Sequence, residues 1–211
     1  MNPRTILTLA NGCDIDLENP VADNYRDLAW AAEHLAKENR YNGATPGVCY
    51  SVAQHMCECV TSAMAQTGDR ELAAYLSLHD VHEAVLKDDT TPKKNTFAAI
   101  AEKKFGVLAS QVMEAFADLT DRHDRAIHEA AGLAWPPSPE MAARIKHFDR
   151  VLLVTDWRDL MRGATLANAQ AYADVSPLQR TIVPHKKWES SAALLCLAWR
   201  RYLPALGEMS R

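Results

Sequence analysis

The sequence lacks the features that mark several other classes of protein. No apolar run is long enough for a membrane-spanning helix or the core of a signal peptide, so we expect a cytoplasmic protein without membrane contacts. The five cysteines are odd in number and form no pair of CxxC motifs, which favours a reducing compartment over a disulfide framework. The net charge is −4 and no basic stripe is present, so we expect no stable binding to nucleic acid.

Glycine and proline are sparse between about residues 20 and 180, and the apolar residues recur at helical rather than alternating spacing. A chain of 211 residues can bury one sizeable core. We therefore predict an all-α fold that consists of a single compact helical bundle.

Capping and breaking residues give the helix boundaries. Ser51 and Gln54 form the S-x-x-Q pattern of a capping box, which starts a helix at Ser51 and places His55 in its first turn. Gly68 ends that helix, and Ser138 or Pro139 opens a later one. The predicted helices span residues 23–38, 51–68, 69–86, 96–104, 107–120, 121–131, 140–160 and 191–202.

His55 and the adjacent pair His79-Asp80 form an incomplete ligand set for a divalent metal, because imidazole and carboxylate together suit Zn, Mn, Co or Fe. At 100° per residue Glu83 lies between His79 and Asp80, so a continuous helix places the three on one face. Asp88 falls on the opposite side of such a helix, and it can join the site only if the helix has already ended.

Helical periodicity leaves the last ligand open. Asp149, Asp156 and Asp159 are candidates, and Asp149 and Asp156 share one helix face. Cys57 and Cys59 can supply thiolates, but residues two apart point away from each other, and small buried hydrophobes are the simpler interpretation.

Two further histidines have ordinary explanations. A second pair, His123-Asp124, lies in a charged stretch and is interpreted as part of a solvated helix start. His82 is interpreted as a residue at the surface or behind the ligands.

Several ordered motifs resemble those of the HD-domain phosphohydrolases, over about residues 20 to 165. The nearest branch contains the YfbR-like 5′-deoxynucleotidases and related phage and prophage phosphohydrolases. Four residues depart from the usual pattern of this family. Lys87 stands where glycine commonly ends the HD helix, and the other three are Asp89, Met56 and Ala44. The motifs are Tyr50-Ser-Val-Ala-Gln-His55, Leu78-His79-Asp80-Val-His-Glu83, Asp88-x-x-Thr-Pro-x-Lys94 and Asp149-x-x-Leu-Leu-x-Thr-Asp-x-Arg-Asp-Leu160.

This resemblance implies an HD phosphohydrolase domain over residues 1–165 and a C-terminal helical extension, residues 166–211, packed on the same domain. It implies a divalent metal, either Mn, Co, Zn or Mg, and a homo-oligomer, for which the apolar C-terminal helix offers a surface. It assigns catalytic acids to Glu83 and Asp88 and substrate phosphate to Arg40 and Lys94. The implied metal ligands are His55, His79, Asp80 and Asp149.

The resemblance implies a metal-dependent enzyme that cleaves phosphate from deoxynucleotides as a 5′-deoxynucleotidase. One alternative is a dNTP triphosphohydrolase that acts on dATP and releases triphosphate, because the same metal set serves both reactions. An alternative of another class is a degenerate HD site in a nucleotide-binding regulator, against which the intact ligand set argues.

Overall fold

The computed structural model describes residues 3–161, 163, 165–166 and 169–207, and it confirms the all-α fold. A short antiparallel hairpin, β1 (Ile6–Thr8) and β2 (Asp14–Asp16), precedes the helices and was not predicted. The helices are α1 (Ala29–Lys37), α2 (Val52–Thr67), α3 (Arg70–Leu76), α4 (Glu83–Leu86), α5 (Thr91–Phe105), α6 (Ala109–Ala131), α7 (Pro139–Leu160), α8 (Trp188–Tyr202) and α9 (Pro204–Gly207).

Helix α2 begins and ends at the predicted residues. The Ser51 hydroxyl accepts the backbone N–H of Gln54, and Gly68 closes the helix at φ 66°, a left-handed conformation that glycine adopts readily. The Gln54 side chain does not complete the capping box. Its amide instead donates to the Val183 carbonyl and accepts the His185 N–H, each at 2.9 Å, which fastens the C-terminal segment to α2.

The predicted helix 69–86 is wrong, because the chain leaves the α conformation after α3 and passes through tight turns before α4. Side chains donate hydrogen bonds to backbone carbonyls that would accept backbone N–H groups in a continuous helix. His79 Nδ1 donates to the Leu76 carbonyl at 2.8 Å, and Trp199 Nε1 donates to the Ser77 carbonyl at 2.6 Å. Side-chain bonds to these carbonyls compete with the helical ladder, so His79 and Asp80 lie in a turn rather than on a helix face.

Other boundaries also differ from the predictions. Residues 107–120 and 121–131 do not form two helices, because α6 runs unbroken through both segments. The first predicted helix is shorter and follows a 3₁₀ turn at residues 22–25. Helix α5 starts at Thr91, five residues before the predicted start, with Pro92 in its first turn, a position where the missing N–H is not needed.

Helix α8 packs against α1 and α2, and Leu195 and Trp199 are buried in the core between these helices. Leu194 and Leu197 on its other side are exposed. The helix expected to form an oligomer surface therefore buries much of its apolar face inside its own chain. The homo-oligomer stays a prediction, which light scattering can measure.

Among the described helices, none combines the length and the apolar character that crossing a membrane requires.

The interpretation of His123-Asp124 as a solvated helix start is wrong. Both residues are buried within α6. His123 bonds the Tyr25 hydroxyl at 2.5 Å through Nδ1 and the Leu17 carbonyl at 3.0 Å through Nε2. Asp124 accepts from His82 Nδ1 at 2.9 Å, so His82 also belongs to this buried polar group. The second HD pair is thus structural and joins the N-terminal segment to α6.

Stability should fall as the pH drops below 6.5, because burial lowers the pKa of the His123 and His128 imidazoles from that ordinary value. As the pH falls, these two imidazoles bind protons in the unfolded chain before they do so in the folded chain. The stability that the neutral imidazoles contribute is therefore complete above pH 6.5 and declines as the pH falls towards their lower pKa in the folded chain. We expect the melting temperature of His128→Gln to depend less on pH than that of the wild type in calorimetry. The exposed His147→Gln should follow the wild type, and equal slopes for all three proteins would contradict the prediction.

Candidate metal centre

The first part of the candidate centre lies between α2 and α7, which pack together. His55 is fully buried in the first turn of α2. Its Nε2 lies 3.4 Å from Asp149 Oδ1, and its Nδ1 lies 3.2 Å from Asp156 Oδ2. The contact of Nδ1 with Asp156 orients the ring so that Nε2 faces Asp149.

The turn after α3 supplies the second part. The Nδ1 of His79 donates to the Leu76 carbonyl, which fixes the ring so that Nε2 is directed inwards. This Nε2 lies 3.1 Å from Asp80 Oδ2, yet it has no hydrogen-bond partner among the described residues. Asp80 Oδ2 also lies 4.0 Å from His55 Nε2. The structure therefore brings both histidines and both proposed carboxylates to one place.

The spacing of these donor atoms suits a single cation. Ligand nitrogen and oxygen atoms lie about 2.0–2.2 Å from Zn, so two ligands of one ion lie within about 4.3 Å of each other. The three separations, 3.1, 3.4 and 4.0 Å, all fall inside that limit. The donor atoms of His55, Cys59 and His79 also lie within 4.8 Å of one another, so this group can hold a metal ion.

Cys59 is the residue that the sequence interpretation undervalued. The spacing of Cys57 and Cys59 was weighed, whereas the informative spacing is that of His55 and Cys59, four residues apart on one helix face. The Cys59 thiol is buried, and its Sγ lies 3.6 Å from His55 Nε2. Burial and the charges of Asp149 and Asp80 raise the pKa of the Cys59 thiol well above its ordinary value.

Asp156 is another candidate for the last ligand and was predicted to share a helix face with Asp149. It is fully buried, and it contacts the far nitrogen of His55 rather than the side that faces Asp149. A carboxylate on the second nitrogen of a ligating histidine fixes the ring and increases its basicity. Asp159, the third candidate, instead forms an ion pair with Arg158 at 2.7 Å and accepts the Ile182 N–H at 2.8 Å, so its contacts are structural.

The loop before α2 carries Arg40. Its backbone N–H donates to the Tyr50 carbonyl at 2.9 Å, which holds the loop against the start of α2. Tyr41 and Asn42 follow at φ 58° and 52°, a left-handed turn that is unfavourable for tyrosine and tolerated by asparagine. The loop therefore keeps a fixed and locally strained path that sets Arg40 over the centre.

The Arg40 guanidinium is nearly buried, 3.6 Å from Asp80 Oδ2 and 3.9 Å from Asp156 Oδ2. Although burial opposes the charge, Tyr41 and these carboxylates raise the pKa of Arg40 above its ordinary value. Its Nε has no hydrogen-bond partner among the described residues. Arg40 thus offers a permanent positive charge with an unused donor.

Glu83 is the first residue of the short helix α4, and Asp88 follows the end of that helix. The prediction that Asp88 follows the end of a helix is confirmed, since α4 ends at Leu86. Lys87 turns the chain at φ 74°, where glycine is the favoured residue, and its ammonium pairs with Glu38 at 3.1 Å.

Both carboxyl groups have a raised pKa. Burial and the charges of Asp80 and Asp88 raise the pKa of the Glu83 carboxyl well above its ordinary value. Burial also raises the pKa of Asp88, against the opposing charge of Arg40. Lys94 is exposed at the start of α5, and its charge acts on both carboxyls.

Among the described residues at the centre, carboxyl groups outnumber the positively charged Arg40 guanidinium. Although burial opposes it, the Asp80 carboxylate raises the pKa of the His79 imidazole to about 9. Burial likewise opposes ionisation of Asp149, but His55 lowers the pKa of that carboxyl well below its ordinary value. The site therefore favours the positively charged form of the His79 imidazole. The carboxyl groups that act on or are acted on by Arg40 are those of Asp80, Glu83, Asp88, Asp149 and Asp156.

Unpaired buried polar atoms concentrate at this centre. An unsatisfied buried donor or acceptor costs about 1–3 kcal/mol, so folding alone does not favour such a cluster. A bound cation and a polar ligand would satisfy these atoms, and the residues therefore fit a metal site. Among the described residues, the atoms without a hydrogen-bond partner include Arg40 Nε, Tyr41 Oη, Tyr50 Oη, His79 Nε2, Glu83 Oε2 and Asp156 Oδ1.

Comparison with known proteins adds no family assignment. No protein-family model matches the sequence, and no curated protein matches it significantly.

Proposed function

We propose that the protein is a metal-dependent phosphohydrolase that cleaves phosphate from deoxynucleotides. The observation that carries the proposal is the meeting of His55, the His79-Asp80 turn and Asp149 beneath the Arg40 guanidinium. When bound, a divalent cation such as Mn, Co, Zn or Mg would polarise a phosphoryl oxygen and lower the pKa of water. The residues that would hold it are His55, His79, Asp80 and Asp149.

Arg40 supports the assignment of an anionic substrate. A guanidinium donates two parallel hydrogen bonds to a phosphate more readily than an ammonium does. Its carboxylate neighbours stand at 3.6 and 3.9 Å, too far for hydrogen bonds, and its Nε has no partner among the described residues, so this donor remains available to a phosphate. The charge of the exposed Lys94 also acts on Glu83 and Asp88.

Glu83 supports the assignment of hydrolysis. Its buried carboxyl has one oxygen without a partner among the described residues and a pKa raised by burial and by Asp80 and Asp88. A carboxyl of raised pKa can accept a proton from the attacking water and return it to the leaving oxygen. Asp88, half-buried beside Glu83, can hold the water or share the proton.

The direct test incubates the purified protein with deoxynucleoside and ribonucleoside mono-, di- and triphosphates, with Mn, Co, Zn or Mg or with a chelator. We expect inorganic phosphate from deoxynucleoside monophosphates, dependence on the cation, and slower release from ribonucleotides. Release of triphosphate from dATP would identify the triphosphohydrolase instead. Tight nucleotide binding without metal or turnover would identify the regulator and overturn the proposal.

Asp156→Asn tests whether Asp156 supports His55 as a metal ligand. The amide keeps the shape of Asp156 but removes the negative charge from His55 Nδ1, 3.2 Å away. Loss of such a partner lowers metal affinity by about 10- to 100-fold. We expect that weakening in calorimetric titration with Mn²⁺. Asp159→Asn on the same helix is the control, and its affinity should stay within about twofold of the wild type.

A further inference from the structure

The centre combines two kinds of donor atom on the same side of His55. Carboxylate oxygens of Asp80 and Asp149 lie 4.0 and 3.4 Å from His55 Nε2. The Cys59 sulfur lies 3.6 Å from the same nitrogen, one helical turn further along α2. The thiol is fully buried and therefore cannot turn towards solvent without repacking α2.

The position of Cys59 matches that of a ligand. A tetrahedral cation about 2.3 Å from sulfur and about 2.1 Å from nitrogen sets those two atoms about 3.6 Å apart, the separation that the structure has. His79 offers the independent observation, since its buried Nε2 lacks a partner among the described residues and belongs to the same 4.8 Å group. Cys57, two residues earlier, packs instead against the core around α8.

We propose that Cys59 is a ligand of this centre for borderline and soft cations, so that His55, Cys59 and His79 bind Zn²⁺, Cd²⁺ or Co²⁺. The inference rests on the metal centre of the proposed function. Harder cations such as Mn²⁺ and Mg²⁺ use the carboxylates, because they prefer oxygen, whereas thiolate favours softer ions. On binding, the sulfur–metal bond replaces the S–H bond, and the proton leaves to solvent.

This arrangement gives the centre a preference among metals. A thiolate strengthens the binding of Zn²⁺ and Cd²⁺ relative to that of Mn²⁺. We therefore expect Cys59→Ser to lower the ratio of Zn²⁺ affinity to Mn²⁺ affinity by about tenfold or more, because serine replaces a soft sulfur ligand with a poorly acidic hydroxyl. Competitive titration with a chromophoric chelator measures that ratio.

Cobalt spectroscopy on the full chain gives a readout that does not depend on turnover. Titration of the wild type with Co²⁺ should produce visible d–d bands together with a near-ultraviolet thiolate-to-cobalt charge-transfer band. Cys59→Ser should lose the charge-transfer band and keep the d–d bands. Cys57→Ser is the matched control, because it removes a thiol from the same helix, and its spectrum should equal that of the wild type.

The outcomes separate the two proposals. Visible bands without a charge-transfer band in the wild type would overturn the role of Cys59 and leave the metal centre intact, and this result needs no variant to fold. A charge-transfer band that survives in Cys59→Ser would also overturn it. If the wild type gives no cobalt bands and binds neither Zn²⁺ nor Mn²⁺, the metal centre itself fails, and the proposed function fails with it.

Discussion

Asp80→Asn should reduce phosphate release by about 10²- to 10⁴-fold, because the loss of a ligand removes several kcal/mol of stabilisation from the transition state. Asp80 contacts more of the centre than any other carboxylate described above. Its Oδ2 lies 3.1 Å from His79 Nε2, 4.0 Å from His55 Nε2 and 3.6 Å from Arg40 Nη1. An amide of the same shape cannot supply the anionic oxygen that holds the cation. Metal analysis of the purified variant and initial rates with a deoxynucleoside monophosphate measure the two losses together.

The control for this variant is Asp118→Asn, which makes the same chemical change at an exposed ion pair with Arg122 on α6. Circular dichroism should show that both variants remain folded, since an asparagine side chain has nearly the volume of the aspartate that it replaces. A variant at Asp80 that keeps its metal and its rate would remove this residue from the ligand set, and Asp149→Asn would then be the next test.

The sequence predicted the fold well where local signals are strong. The N-cap at Ser51, the left-handed end at Gly68 and the opening of α7 at Ser138 are encoded in neighbouring residues, and all three are present. The break after α3 is only partly local. His79 bonds the nearby Leu76 carbonyl, but Trp199 reaches the Ser77 carbonyl from 122 residues away. The spacing of apolar residues cannot reveal that a distant side chain interrupts a helix.

The candidate site shows the same division. The adjacent His79-Asp80 pair is evident in the sequence, and the structure brings it to His55 even though the assumed helix is absent. Asp149 and Asp156 have the same helical phase, so spacing alone could not assign them. Only the packing of α7 on α2 separates them, because it directs Asp149 to one nitrogen of His55 and Asp156 to the other.

The role of the second HD pair could not be predicted from composition. Asp121, Arg122 and Arg125 make the stretch around His123 strongly charged, which is typical of a solvated segment. These residues lie on the outer side of α6, whereas His123 and Asp124 face inwards. A window average mixes the two sides of a helix, and it therefore hides a buried polar pair.

Glu83→Gln should lower kcat by about 10²- to 10⁴-fold, the range that general acid–base catalysis supplies. Glutamine keeps the volume of the buried side chain but cannot accept a proton. Glu83 is not among the proposed ligands, so Mn²⁺ affinity should stay within a few-fold of the wild type, and KM should change little. Single-turnover rates and calorimetric titration separate the two effects. Glu114→Gln, at an exposed position on α6, provides the matched control.

Besides burial, the charge of Asp88 raises the pKa of Glu83, and this effect provides a second test of their roles. Each carboxyl raises the cost of ionising its neighbour, as the effect of Asp88 on the pKa of Glu83 indicates. If the two act as one proton-accepting unit, the double variant Glu83→Gln/Asp88→Asn should be no slower than the slower single variant, because groups that act together are not additive. Losses that multiply would assign them separate tasks, with Asp88 holding the water. An unchanged kcat in Glu83→Gln would exclude Glu83 as the base, and the proton would then have to pass to Asp88.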